Sequence, residues 1–459
     1  MTTIVWFQRD LRVSCNPALN LALQGDEPIV AVYVHSPQED FPWQPGAASR
    51  WWLHHSLQAL ARDLERLGIR LQFFKANSLD LIPRIAADYG ASSVLWTERH
   101  EPFRRDCESV LESGLKRHGV EVVRFRDELL TNPDQFLTTG KSSPYRVFTP
   151  FYKRLRKQLQ FETLLTSERG ASKQKPAPHS EALTLHQLGL LDSFPWHEKL
   201  GRYWAPGEAS ALQRLQDFVE NHLRSYPEQR DFPSSAGTSS LSPHLHFGEI
   251  SPRQIVSALQ PYIQLDMNGL SRAAEAWLRQ LIWREFSRYV LRHFPTTPTE
   301  SMDGRFEPGF WKNDEESLGR WQRGETGIAI VDAGMRQLWE IGWMHNRVRM
   351  LTASLLTKNL GIDWRAGAEW FWETLVDADL ANNTMGWQWV AGCGVDAAPY
   401  FRLFNPLVQA KRFDPDQVYI RRWVTPGNQE TIVKPIVDLT DSRNQALERY
   451  RHTIQSRRN

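Results

Sequence analysis

Apolar residues in the first 130 positions fall into two alternating rhythms. Short continuous runs at Ile4–Phe7, Ile29–Val34, Leu71–Phe74, Val94–Trp96 and Val120–Phe125 read as buried strands. Between them lie helix-length amphipathic segments. In Ala48–Gly68 the residues Leu53, Leu57, Leu60, Leu64 and Leu67 recur at helical spacing, and Gly68 stands where a C-cap belongs. Ser78–Tyr89 is a second helix, with Ser78 as its expected N-cap. This alternation predicts a doubly wound parallel-sheet α/β domain. No GxGxxG follows the first strand, so the usual dinucleotide fingerprint is absent.

From about Gly207 onward nearly every window carries period-3.6 apolar spacing. Ala209–Tyr226, Ile250–Leu259, Ala273–Phe294 and Thr326–Trp339 are predicted helices. Between Ser167 and about His197 the chain turns to Ser, Lys, Pro and His, the composition of a connecting segment. The expected organisation is an α/β domain over residues 1–130, an interdomain connection over 131–200 and an all-α domain over 201–459. The polar tail after Trp423, ending in SRRN, is expected to fray.

A chain of 459 residues is long enough for two or three cores. Its net charge of +2 shows no global basicity, so a nucleic-acid surface has to be a local patch. Cys15, Cys107 and Cys393 are far apart and suggest neither a disulfide framework nor a metal site. The opening MTTIVWFQRDLR is a short apolar run followed by charges rather than a signal peptide, and no apolar run reaches membrane-spanning length. A cytoplasmic monomer without membrane contact is expected. Thirteen of the 19 tryptophans lie in Leu200–Asn459, an excess modest enough that their positions must carry the argument.

The densest stretch runs from Leu375 to Pro406, LVDADLANNTMGWQWVAGCGVDAAPYFRLFNP. Asp, Asn and Gly have poor helix propensity, so the segment is no ordinary core helix. Read as a helix from its start, it puts Asp379 and Asn383 on one face. Trp387 and Trp389, two apart, then point in roughly opposite directions. Upstream, Gly237, Thr238, Ser239, Ser240, Leu241 and Ser242 precede a helix, and hydroxyls with free N–H groups at such a start make an anion site. Trp277, Gln280, Trp283 and Arg284 can be neighbours on one helix.

The words DADLANN, GWQW, DAAPYFR and FNP resemble the flavin-binding core of the photolyase and cryptochrome family. GWMHNRVRM at Gly342–Met350 and IVWFQRDLR at Ile4–Arg12 are similar to two further signatures of that family, in its order. The likeness covers nearly the whole chain and comes nearest to bacterial cyclobutane pyrimidine dimer photolyases. It implies an antenna-type N-terminal domain, an all-α FAD-binding domain and blue-light-dependent repair of UV-damaged DNA. Tyr226, Thr238, Ser239, Ser240, Leu241, Ser242, Trp277, Arg284, Asn346, Asp377, Asp379 and Asn383 would hold FAD, with Arg349 a candidate partner for Asp379. Arg230, Gln280, Trp283, Arg347, Met350 and Trp389 would meet the lesion, and Lys411 and Arg412 could hold flanking phosphates. Trp387, Trp364 and Trp311 match the family's electron-transfer tryptophans, and Asn383 matches the residue facing flavin N5. No metal is implied. A second antenna chromophore, methenyltetrahydrofolate or a deazaflavin, is left open.

Four positions depart from the family's pattern. Gln8 and Cys15 replace an Arg and an Asp near the start, Ser240 replaces an Arg, and Gln280 stands where dimer photolyases commonly carry Glu. The last of these keeps a cryptochrome-type photoreceptor without repair activity as the alternative. Asn383 weighs on the side of repair, because an amide beside N5 suits a fully reduced anionic flavin.

Overall fold

The computed structural model describes residues 2–138, 140, 142–159, 175–191, 195–307, 309–397, 399–424 and 434–456. Five strands form one parallel sheet: β1 (Thr2–Phe7), β2 (Ile29–His35), β3 (Leu71–Lys75), β4 (Ala91–Thr97) and β5 (Glu121–Phe125), in the order β3-β2-β1-β4-β5. All four pairings are parallel, and β1 to β3 are almost entirely buried, as a sheet covered by helices on both faces requires. The apolar runs therefore located every strand.

The crossover helices are α1 (Pro17–Gln24), α2 (Ala47–Arg66), α3 (Ser78–Asp88) and α4 (Pro102–Arg117). Helix α3 starts where its period begins, but Ser78 does not cap it. Asn77 does, accepting a hydrogen bond from the Leu79 N–H (2.8 Å), while the Ser78 hydroxyl donates to Glu39 (2.9 Å).

Beyond residue 200 the described residues form helices and turns. Ser271–His293 is the longest at 23 residues, and Pro252–Gln264, Ala329–Ile341, Asn346–Ser354, Trp364–Thr374 and Leu380–Ala391 pack around it and one another. The window Ala209–Tyr226 is not one helix: Glu208–Asp217 passes into a wider π turn at Phe218–His222 before a short helix at Tyr226–Gln229. The C-terminal tail also differs from expectation. Leu439–Ser456 is helical, with Ala446 fully buried, Tyr450 stacked on Tyr400 (4.8 Å) and the Ser442 hydroxyl accepting from Asn359 (2.8 Å). Its apolar positions are few, and it is held by polar and aromatic contacts that periodicity does not register. The last three residues, and residues 160–174 of the Ser/Lys/Pro-rich connection, lie outside the described set.

The two halves share a core. Val5 and Phe7 of β1 cluster with Trp51 and Trp52 of α2 and with Leu200, Trp204, Phe247 and Val376 from beyond the sheet. Gly248 sets the closeness of that approach. It holds φ at +66°, and a Cβ there would lie 1.8 Å from the Arg9 carbonyl oxygen.

Several buried histidines tie the fold to pH. The His345 ring caps the Asn346–Ser354 helix, accepting from the Arg347 N–H (3.2 Å) and facing the Arg230 carbonyl through Nε2 (3.0 Å). Burial pushes His345 down to about 4, and burial with Lys75 does the same to His35. An unfolded chain binds those protons near pH 6.5. Stability is then fully present above pH 6.5 and falls as pH drops toward 4, by on the order of 1.4 kcal/mol per pH unit for each ring. The urea midpoint should decline between pH 6.5 and 4.5, and His35→Gln should flatten that decline.

Candidate active site

A cavity of about 550 Å³ in the helical half is within the range of small-molecule and cofactor sites. Its walls come from the helices Ser271–His293, Asn346–Ser354 and Leu380–Ala391, from Tyr226, and from the run at 238–242. Every residue assigned from sequence to flavin or to lesion lines it: Tyr226, Arg230, Thr238, Ser239, Ser240, Leu241, Ser242, Trp277, Gln280, Trp283, Arg284, Asn346, Arg347, Met350, Asp377, Asp379, Asn383 and Trp389. Trp387 lines it too. Trp364 and Trp311 do not.

Asp379 is not inside a helix with Asn383, as the spacing suggested. It is the N-cap of Leu380–Ala391, its Oδ1 accepting from the Asn382 N–H (2.9 Å). A capping carboxylate begins the helix that then presents Asn383, Trp387 and Trp389 to the cavity. The partner of Asp379 is Arg288, whose Nη2 donates to Oδ2 over 2.7 Å, with both side chains almost wholly buried. Arg349 pairs instead with Asp377 (2.9 Å), so the Asp379–Arg349 pairing expected from sequence is corrected. Arg288 lies four residues after Arg284 on the same helix, and that spacing was the available signal. His246 and His100 also approach Asp379 Oδ2, at 3.5 and 3.6 Å. Burial works against the charge on Asp379, but Arg288 and the two histidines outweigh it and hold the carboxyl well below its usual range. Burial and the neighbouring Arg288 bring Arg284 down to about 10, and its guanidinium donates to the Glu128 and Leu245 carbonyls (3.0 and 3.1 Å).

The run at 238–242 is a loop leading into a helix of one turn, Ser242–His246. Ser240 adopts a left-handed φ of +51°, an uncommon conformation for a residue with a Cβ. The Ser242 hydroxyl donates to Asp377 (2.7 Å), which joins this loop to the Asp377–Arg349 pair. Hydroxyls, two buried guanidinia and flat apolar walls fit a ligand with a pyrophosphate and a planar heteroaromatic ring. Arg288 Nε and Nη1 have no hydrogen-bond partner among the described residues, which leaves donor capacity at this wall.

Asn383 is fixed in orientation, its Nδ2 donating to the Ala368 carbonyl (2.9 Å). Trp387 is buried edge-on to Phe371 (5.0 Å) and Trp321 (6.1 Å). Its place depends on Gly367, three residues along from Trp364, where a Cβ would lie 2.1 Å from the indole. Trp364 is fully buried and donates to the Ser301 hydroxyl (3.1 Å). The strand of chain after Trp311 is tied to the turn before Trp364 by Lys312 N–H to the Gly361 carbonyl (2.8 Å).

At the mouth, Trp283 stacks on Phe148 at 3.5 Å and 8°, so one indole face is already covered. Arg347 pairs with Asp231 (2.7 Å) and lies over Phe413, beside exposed Lys411 and Arg412. Sequence reasoning missed His246, Arg288, Asn382 and Trp343, all of which line the cavity.

The family described as DNA photolyase matches residues 3–178, and the FAD binding domain of DNA photolyase matches residues 277–452. The deoxyribodipyrimidine photo-lyase of Agrobacterium fabrum is 42% identical over 423 residues, spanning 92% of this chain and 86% of that protein. Cryptochrome-2 of Arabidopsis thaliana is 34% identical over 432 residues, spanning 92% and 70%. A solved bacterial class III photolyase from Agrobacterium tumefaciens superposes with a TM-score of 0.90 at 38% identity, covering 99% of this chain and 98% of that one. With most of the cavity wall in the matched FAD-binding domain, the chain belongs to the DNA photolyase family.

Proposed function

We propose that this protein is a photolyase that splits cyclobutane pyrimidine dimers in UV-damaged DNA, working as a monomer with FAD. The observation that carries the reading is the single cavity shared by the Asp377, Asp379 and Asn383 wall and by Trp283, Trp389 and Gln280. When bound, reduced FAD supplies the electron that opens the dimer's cyclobutane ring. An antenna chromophore in the N-terminal domain, methenyltetrahydrofolate or a deazaflavin, belongs to the same reading.

The chain's own residues would bind, orient and exclude water. A dimer is poorly stacked in the duplex, so flipping it out costs a few kcal/mol at most. Stacking on an aromatic returns about 1–3 kcal/mol per base, enough for two tryptophans to offset that cost. Because Phe148 covers one face of Trp283, a single face is offered to a base. Arg347 can take a DNA phosphate only by exchanging it for Asp231, a charge swap that salt would weaken. Asn383 presents an amide rather than a carboxyl, so it can hydrogen-bond at the flavin without adding negative charge.

Gln280 favours a second reading, a photoreceptor that binds FAD and leaves lesions intact. An amide in that place hydrogen-bonds a thymine edge but brings no charge and no carboxyl proton. The deciding experiment illuminates the FAD-reduced protein with dimer-containing single- and double-stranded oligonucleotides. Repair under blue light and none in the dark is expected; unchanged dimers in both substrates would refute the repair reading. Two variants sharpen it. Trp283→Ala should weaken lesion binding about tenfold or more, a loss of about 1.4 kcal/mol, with flavin absorbance unchanged. Trp387→Phe should stop photoreduction of oxidised flavin yet leave chemically reduced protein competent, since phenyl is a far poorer electron donor than indole. Photoreduction at the wild-type rate would remove Trp387 from the path.

A further inference from the structure

His100 enters the Asp379 cluster from the N-terminal half, just beyond the end of β4. Its Nε2 is 3.6 Å from Asp379 Oδ2, and its Nδ1 is 2.9 Å from Glu128 Oε2. Both His100 and Glu128 also line a second, small cleft of about 20 Å³, together with Arg105, Asp134, Arg288 and Arg292. That is room for one water. Asp134 and Arg292 pair over 2.6 Å with side chains 41% and 26% exposed, so the cleft reaches the surface there. Among the described residues, His100 Nε2, Glu128 Oε1, Arg288 Nε and Nη1, and His246 Nδ1 are buried without a hydrogen-bond partner. Arg288 lines both the small cleft and the large cavity. Unpartnered polar atoms of this kind, gathered between a cofactor cavity and a water-sized cleft, are what a proton path needs and what a purely structural ion cluster avoids.

We propose that His100, recharged through Glu128 from this cleft, is the proton donor of the large cavity, delivering protons by way of Asp379. The inference rests on the reading that the cavity holds FAD. Converting oxidised FAD to its fully reduced anion takes two electrons and one proton, so the cavity needs a proton supply. A proton leaves His100 Nε2 for Asp379 Oδ2 and passes on to the group in the cavity. Water in the cleft, through Glu128, supplies one to Nδ1 of the Nε2–H tautomer as Nε2 gives up its own, and a turn of the resulting Nδ1–H ring with proton exchange at the same two partners resets it. One proton enters from solvent for each delivered, and no electron moves in the relay. Imidazole suits the step because its two nitrogens face different partners.

The charged groups around His100 agree with this role. Glu128, Glu101 (3.8 Å) and Asp379 face the ring, with Arg99 paired to Glu101 (2.6 Å). On the Asp379 side stand Arg288 and His246, and Arg9 contacts His246 Nε2. Burial and Arg9 bring His246 down to about 4. Asp379, held ionised, is a conduit rather than a store.

The test uses FAD-loaded wild type, His100→Gln and Glu128→Gln, photoreduced by a flash in H2O and in D2O. The visible spectrum reports whether the bound flavin carries its proton, and an indicator dye reports proton uptake from solvent. Both variants should keep FAD and the rate of electron arrival, while protonation and dye response slow at least tenfold. Wild-type protonation rates in both variants would overturn the relay. Loss of FAD from both would overturn it too, by making the pair part of the binding wall. If only His100→Gln loses FAD, Glu128→Gln decides alone. A wild type that takes up no FAD defeats the functional reading itself, which is distinguishable from a wild type that binds FAD and variants that behave like it.

Discussion

One buried carboxylate organises the site. Asp379 is 2% exposed, and a charge there survives only if a cation and polar rings meet it, since desolvation of an ion costs several kcal/mol. Its partners come from distant parts of the chain: Arg288 lies 91 positions away on the long helix, His246 precedes Gly248, and His100 follows β4. Neutralising this charge draws the carboxyl end of the sheet onto the helical half. It also starts the helix that carries Asn383, Trp387 and Trp389, because the same carboxylate is that helix's cap.

The arrangement makes use of a general property of doubly wound sheets. In the order β3-β2-β1-β4-β5 the connections reverse direction between β1 and β4, and the carboxyl ends of those two strands form the natural crevice for a ligand. Here the residues leaving that point are polar and buried: Arg9 and Asp10 after β1, Arg99 and His100 after β4. Their contacts run to Glu101, His246 and Asp379, which couples the sheet electrically to the cavity of the helical half. Close backbone contact at Gly248 allows side chains as short as histidine to span the junction.

The sequence was legible where one element was enough to decide. Five apolar runs found five strands, and the period of Ser271–His293 placed Trp277, Gln280, Trp283 and Arg284 together on one wall. Motif resemblance gathered the other assigned lining residues, which periodicity alone could not do. What stayed hidden depended on pairing across the fold. Arg288 and not Arg349 meets Asp379, because the choice between two arginines is set by how three helices cross. Asn77 displaced Ser78 as a cap because Glu39, far away in sequence, claims the serine. Phe148 covering Trp283 and the His100–Glu128 pair are likewise contacts between segments with no shared pattern. The tail helix was missed because it is held by Tyr450 on Tyr400 and by hydrogen bonds rather than by a broad apolar stripe.

The claim that Asp379 organises both the fold and the cavity is tested most directly by comparing wild type with Asp379→Ala, without FAD and then with it. Removing the carboxylate takes from buried Arg288 its close ion-pair partner, leaving only Glu128 at 3.9 Å, and deletes a helix cap. Urea unfolding of the FAD-free variant should show a loss of about 3–5 kcal/mol, and FAD should no longer be retained through gel filtration. Unfolding at the wild-type midpoint with full FAD retention would contradict the account.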